Sequence, residues 1–243
     1  MRYARPLVVL LALVCVGGCV PLPAALPPSG AATAAQQMTI EPAALNQMPV
    51  GVLEARRVAA APRLDGTLDA VWASSTPVHI PLDGAREPSA AAVLPELVLR
   101  AVYTSDALFF LARWDGEPPS GAVDTTFNQL TVHWTVPLPA GAPAPACAVA
   151  CHTAHVDGQG RVAYMNSETI PQGGEDALPA AGGWADSHWA IAWSRPLVNA
   201  NPYDLQFSDL GASYLFFVKV FARAEGRPDP ISKPYALAFV ADQ

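Results

Sequence analysis

Prolines are spread along the whole chain, and they constrain its fold more than any other feature. The sequence has 25 prolines among 243 residues. Because proline lacks a backbone N–H and its ring clashes with the preceding helical turn, this distribution argues against a long helical bundle. The hydrophobic fraction of 51% argues against a disordered chain. We therefore expect a folded protein that is built mainly from strands and turns.

Short apolar or alternating segments are separated by turn residues. Glu96–Tyr103 and Ala107–Trp114 predict a hairpin around a turn at 104–106, and Phe127–Val136 predicts a further strand. Three later segments with the same character are residues 189–193, 214–222 and 235–240. Helical periodicity does not extend beyond two turns anywhere in the sequence. The pattern predicts an all-β fold, an antiparallel β-sandwich with long irregular loops and little helix.

The N-terminus has the pattern of an export signal. A short basic region, Met1–Arg5, precedes the apolar run Pro6–Val16, which is too short to span a bilayer. Gly17-Gly18-Cys19 follows and resembles the lipobox of bacterial lipoproteins, in which small residues precede a cysteine that becomes acylated. We predict a lipoprotein signal peptide at 1–18 and a lipid anchor on Cys19, on the periplasmic side of a bacterial membrane. An ordinary cleaved signal peptide and a secreted protein are the alternative.

The rest of the chain divides into a tether and a globular domain. Residues 19–51 are rich in proline and alanine and predict an extended tether, whereas 52–243 predict one domain. Removal of 1–18 takes away two of the 14 basic residues and none of the 21 acidic ones, so the net charge becomes 12 − 21 = −9. Because phosphate binding needs clustered Lys and Arg, we expect no nucleic acid partner.

Cys147 and Cys151 are four residues apart, and His152 follows directly. Covalent haem attachment needs two thiols for the vinyl groups and a histidine that reaches the iron, usually in the spacing C-x-x-C-H. This segment reads C-x-x-x-C-H and lies in 137–188, a stretch without clear strand signals, and long loops of this kind are usually functional or disordered. The alternatives are a disulfide between the two cysteines, free thiols, or a metal site that includes His155.

Several motifs of the globular part resemble one known family. Arg63–Trp72 (RLDGTLDAVW), the 103–114 hairpin, Ile191–Leu197 and Ile231–Pro234 look like the haem-binding domain related to the gamma subunit of ethylbenzene dehydrogenase. Family 9 carbohydrate-binding modules share that sandwich fold and the same opening motif. Together with the cysteine–histidine motif, the resemblance implies the haem branch and a c-type cytochrome.

The resemblance implies an electron-transfer protein with one covalent haem c, rather than an enzyme. Cys147 and Cys151 would hold the haem, and His152 would ligate its iron. Met165 is the preferred second axial ligand, because a thioether with histidine raises the haem potential, and Lys219 is the alternative. Further options are two histidines, His133 and His155. The implied partner is a redox protein, with a molybdenum-containing oxidoreductase as one candidate, and the lipid anchor attaches the chain to a membrane.

Two interpretations from other classes stay open. A carbohydrate-binding module would have no haem, would expose tryptophans and would bind an oligosaccharide. A structural lipoprotein would have a disulfide and no redox role. Asp65 and Asp69 predict a turn and a helix start rather than paired catalytic acids, and no hydrolase or metalloprotease motif is present. The tryptophans are expected to build the core: Trp72, Trp114, Trp134, Trp184, Trp189 and Trp193.

Overall fold

Almost all regular structure in the protein is strand, as seen in a computed structural model. The structure describes residues 48–82, 96–116, 127–136, 148–170, 175–201, 204–220 and 231–241. The strands are β1 (Val52–Arg57), β2 (Val78–Pro81), β3 (Glu96–Tyr103), β4 (Ala107–Asp115), β5 (Phe127–Val136), β6 (Ala148–Val156), β7 (Val162–Ile170), β8 (Glu175–Leu178), β9 (Ala180–Ala185), β10 (His188–Pro196), β11 (Ser213–Val220) and β12 (Tyr235–Val240). One short helix, α1 (Ala70–Ala73), lies between β1 and β2.

Eleven strands follow one continuous path, in the order β8-β7-β6-β5-β11-β12-β1-β3-β4-β10-β9, and β2 also pairs with β3. The end strand β9 meets the turn before β7, the strand next to the other end: Arg161 bridges to Gly183, and the Trp184 N–H donates to the Gly160 carbonyl. The predicted all-β sandwich is therefore confirmed, in a form that nearly closes into a barrel. Its pairing is not wholly antiparallel, since β1 runs parallel to both β12 and β3.

The core lies between the two halves of this path, where large aromatic rings interlock. Phe110 of β4 stacks on Trp193 of β10 at 4.9 Å between ring centroids, and its centroid lies 5.7 Å from that of Trp134 on β5. Trp114 and Trp189 stack at 5.7 Å near the other end of the same two strands. Five of the six tryptophans are buried, and Trp184 is partly buried against the core. The prediction that the tryptophans build the core is confirmed.

Helix α1 covers the outer side of β3, β4 and β10. Asp69 caps its first turn by accepting backbone hydrogen bonds, while Asp65 accepts one from the Thr67 N–H at 2.9 Å. Trp72 is fully buried in an outer cluster with Leu111. The predicted turn and helix start are confirmed. With four residues, α1 is the one helix in the described ranges, and it is far shorter than a bilayer crossing requires.

The prediction that residues 137–188 are irregular is wrong for the described part of that stretch. It contains β6, β7, β8 and β9. The sequence of β6, AVACHTAHV, has small and polar residues where strands usually have β-branched and aromatic ones. These residues form a strand because β6 pairs along its whole length with β5 and β7. Small side chains fit there, since Ala150 lies opposite the bulky Trp134.

Candidate functional site

Strand β6 separates the residues of the cysteine–histidine motif. Successive side chains of a strand point to opposite faces of the sheet. Cys151 lies on the outer face, opposite His133, and its Sγ is 3.2 Å from His133 Nδ1. His152 lies on the inner face, towards the core, opposite Val132. Cys151 and His152 therefore do not share a site in this fold.

His152 is enclosed by the core. Trp134 donates its indole N–H to His152 Nδ1 at 3.2 Å, and Arg195 Nη1 lies 3.0 Å from His152 Nε2. Burial, with the Arg195 charge beside it, holds the pKa of His152 well below its ordinary value. The imidazole is therefore neutral at physiological pH, and its nitrogens are engaged by protein groups.

The remaining predicted ligands are divided between the two faces. Met165 of β7 is buried on the inner face, opposite Ala154 of β6. Lys219 of β11 lies on the outer face, opposite Thr131 of β5. Cys147 and Cys19 lie outside the described residues, so covalent attachment and lipidation stay predictions. Across the described ranges, no three His, Cys, Asp or Glu side chains come close enough together to hold a metal ion.

The outer face of this half of the sheet holds two further histidines. His133 is fully buried and stacks on Phe217 at 4.5 Å between ring centroids. Burial, together with the charge of Lys219, lowers the pKa of His133 to about 3. His155 stacks on Tyr164 at 4.3 Å, and Tyr164 is 46% exposed.

The inner face of β10 carries a buried ion pair. Arg195 and Asp204 are 1% and 3% exposed, and Arg195 Nη2 lies 3.4 Å from Asp204 Oδ2. The Arg195 guanidinium also donates to the Leu205 and Pro196 carbonyls, and its centre lies 5.2 Å from the Phe207 ring centroid. Burial lowers the pKa of Arg195, and the Asp204 carboxylate opposes that shift. Such a pair stays charged because each partner is hydrogen-bonded on several sides.

A pocket of about 250 Å³ adjoins this pair. It lies between edge strand β8, the end of β10 and the loop after β10. Asn199 connects the elements, because its Nδ2 donates to Asp204 and, at 3.3 Å, to Asp176 Oδ2. The Asn199 side-chain oxygen accepts from Gln206 Nε2 at 2.8 Å. The residues that line the pocket are Asp176, Ala177, Leu178, Arg195, Pro196, Asn199, Ala200 and Asn201.

Sequence reasoning missed this pocket, although one signal was present. Along β10, Trp189, Ile191 and Trp193 occupy alternate inner positions, and Arg195 occupies the next one. A charged residue in the apolar register of a strand indicates a buried ion pair or a ligand site. Its partner, Asp204, comes from a loop without a recognisable motif.

No protein-family model and no curated protein sequence matches the chain. A solved structure from Bacteroides uniformis, provisionally assigned to carbohydrate binding, has a TM-score of 0.50 at 8% identity and covers 78% of this chain and 99% of its own. A family 9 carbohydrate-binding module from Caldicellulosiruptor kristjanssonii, in complex with glucose, has a TM-score of 0.46 at 9% identity and covers 79% of this chain and 97% of its own. Its complex with cellotriose has a TM-score of 0.46 at 10% identity and covers 79% and 95%. The Bacteroides structure shows that the sandwich fold is shared.

The predicted haem-binding family and the c-type cytochrome function are wrong. The Bacteroides structure that shares the fold is provisionally assigned to carbohydrate binding, not to haem binding, and the described residues hold no cluster suited to a metal ion. The physical reason is the strand β6, which directs Cys151 and His152 to opposite faces. A C-x-x-x-C-H motif would need both side chains to reach the same haem, its edge for the thiol and its iron for the imidazole. The predicted electron-transfer and iron-binding roles are wrong together with the family assignment. The haem c cofactor and the redox partner are not tested separately and stay predictions.

Proposed function

We propose that residues 52–243 form a non-catalytic carbohydrate-binding module. The observation that carries the proposal is the pocket between β8 and β10. Polar side chains line it, and the buried Arg195–Asp204 ion pair lies beside them. The shared fold with a structure assigned to carbohydrate binding agrees with it. The sequence has no hydrolase motif of the kinds sought above, which agrees with binding rather than catalysis.

The pocket offers the groups that sugar recognition needs. Carboxylate and amide side chains, here Asp176 and Asn201, exchange hydrogen bonds with hydroxyl groups, while Leu178 and Pro196 provide apolar surface for ring C–H groups. The volume of about 250 Å³ lies just below the range for drug-sized ligands, so the pocket suits one sugar ring. Asp204 pairs with Arg195 and accepts a hydrogen bond from Asn199, so these two lining side chains are held in position before a ligand binds.

Recognition in this pocket relies on hydrogen bonds rather than on tryptophan stacking. A carbohydrate-binding module was expected to expose tryptophans, yet five of the six are buried. Trp184 is partly buried and donates its indole N–H to the Gly116 carbonyl at 3.1 Å. Among the described residues, the exposed aromatic ring is Tyr164, on the outer face of β7, away from the inner-facing pocket. Tyr164 therefore offers a natural control position.

We also propose that the sequence signals at the N-terminus place this module on the periplasmic side of a membrane. Cys19 would bear the lipid, and the proline-rich segment 19–51 would separate the module from the bilayer. A tethered module samples a volume around its anchor, which raises its effective concentration near glycans on that side of the membrane.

The test is calorimetric titration of the full mature chain with a panel of monosaccharides and soluble polysaccharides. We expect saturable binding to at least one sugar. Asp176→Ala and Asn201→Ala should each weaken it roughly tenfold, because each removes about one sugar hydrogen bond of 1–1.5 kcal/mol. Tyr164→Ala should leave the affinity unchanged.

Two outcomes would contradict the proposal in different ways. If no sugar binds, the carbohydrate-binding function is wrong. If Tyr164→Ala abolishes binding while the two pocket variants bind normally, the function stands and the pocket assignment is wrong. Circular dichroism of each variant separates a lost contact from a lost fold.

A further inference from the structure

The charge of the pocket is set by Asp176. The other two ionised groups, Arg195 and Asp204, are buried together and balance each other. Asp204 is also occupied, because its Oδ1 accepts from Ser167 Oγ at 3.0 Å and from the Leu205 N–H at 2.7 Å. Asp176 is a partly buried residue of the lining, and the three groups together carry a net charge of 1 − 2 = −1.

Asp176 also has acceptor capacity to spare. Among the described residues its carboxylate accepts one hydrogen bond, from Asn199 at 3.3 Å. A carboxylate has about four lone-pair positions, and the described residues use one of them. Arg195 is less open to an incoming anion, since its Nε donates to the Pro196 carbonyl and its Nη2 donates to Asp204 and the Leu205 carbonyl.

We propose that the pocket selects a sugar that carries a protonated amine and rejects sugar acids. The inference rests on the proposed carbohydrate-binding function and adds the ligand class. The amine of an amino sugar would pair with Asp176, and a hydrogen bond between two charged groups is stronger than one between neutral groups. A sugar carboxylate would instead meet Asp176 with no unpaired cation in the lining.

The experiment compares glucosamine, glucose and glucuronate, and the corresponding galactose series, by titration into the full mature chain at pH 6.5. We expect the amino sugar to bind about threefold to tenfold more tightly than the neutral sugar, and the sugar acid more weakly than either. Raising the salt from 50 mM to 500 mM should shrink the difference, because exposed charges are then screened. Ethanolamine serves as an amine without a sugar ring.

Asp176→Asn tests the origin of the preference, because it removes the charge and keeps the shape. It should bring the amino sugar and the neutral sugar to equal affinity. The matched control is Asp115→Asn, the same change at an exposed residue. Asp115 ends β4 and pairs with His188 at the start of β10, whereas the pocket lies at the other end of β10. That variant should keep the full preference.

Each contrary result has a distinct meaning. A chain that binds no sugar overturns the proposed function itself. A chain that binds neutral sugars and sugar acids as tightly as amino sugars keeps the proposed function and overturns this inference. Equal binding of ethanolamine and glucosamine would show an amine site that does not read the sugar, which also overturns it. A preference for the amino sugar that persists in the Asp176→Asn variant would also overturn the inference.

Discussion

At the scale of single residues, Gly182 on β9 shows how closely two backbones approach. Its φ is +112°, and an added Cβ would overlap the Ala190 carbonyl oxygen of β10. The Cα of Gly66, in the turn before α1, would lie 3.3 Å from that same Cβ. We expect Gly182→Ala to lower the free energy of unfolding by about 3 kcal/mol, because it combines backbone strain with overpacking. Urea denaturation of the full chain measures this loss.

Gly211 provides the comparison for Gly182. An added Cβ there meets the Asp209 side-chain oxygen at 3.2 Å, and no positive φ is involved. We expect Gly211→Ala to change the free energy of unfolding by less than about 0.5 kcal/mol, as surface substitutions usually do. Equal losses in the two glycine variants would contradict the assignment of the cost to the close approach of β9 and β10.

At the scale of elements, α1 depends on one side chain. Trp72 is fully buried in the outer cluster, and its indole N–H has no hydrogen-bond partner among the described residues. We expect Trp72→Ala to lower the free energy of unfolding by about 3–5 kcal/mol through the cavity it leaves. Trp72→Phe should cost less than half of that, since it keeps most of the volume and gives up no hydrogen bond.

Urea denaturation curves of the two tryptophan variants measure how much the volume of Trp72 and its indole N–H each contribute to the free energy of unfolding. Similar losses for Trp72→Ala and Trp72→Phe would show that the indole N–H has a partner and that its hydrogen bond matters. A small loss for Trp72→Ala would instead show that α1 contributes little to the stability of the strands beneath it. The Arg100 side chain, which donates to the Trp72 and Ser75 carbonyls, would then hold the helix by itself.

The elements also show which parts of the fold the sequence could predict. Strands rich in bulky residues, such as β4 and β10, are visible from the alternation in Ala107–Trp114 and around Trp189–Trp193. Strand β6 is not visible, because its small and polar side chains are stabilised by pairing with β5 and β7, which the local sequence does not contain. The motif around Cys151 therefore looked like a haem-bearing loop, whereas it is a strand.

The pocket was beyond local sequence reasoning for a related reason. Arg195 and Asp204 come from a strand end and a loop, and Asp176 comes from β8, at the other end of the strand path. Their proximity depends on the order of strands around the sandwich and on the register that aligns β8 with β7. Single-sequence patterns give the type of each element, but they do not give these distances.

At the scale of the whole molecule, two buried histidines make stability depend on pH. His133 and His152 are both fully buried, and burial lowers the pKa of each, that of His133 to about 3. In the unfolded chain both have an ordinary pKa of about 6.5. Below that pH the unfolded state takes up two protons that the folded state does not bind, so stability is complete above pH 6.5 and falls as the solution is acidified.

We expect the free energy of unfolding to drop by at least about 2 kcal/mol between pH 7 and pH 5, which is the contribution of His133, and His152 adds to the drop in the same direction. This is a large part of the 5–15 kcal/mol that folded domains usually have. Urea denaturation at four pH values measures the slope, and most carboxylates stay ionised throughout this range. His133→Gln removes one of the two groups and should reduce the loss by about 2 kcal/mol. A slope that His133→Gln does not alter would show that His133 takes up its proton in the folded protein, and that the outer face of β5 is open to water.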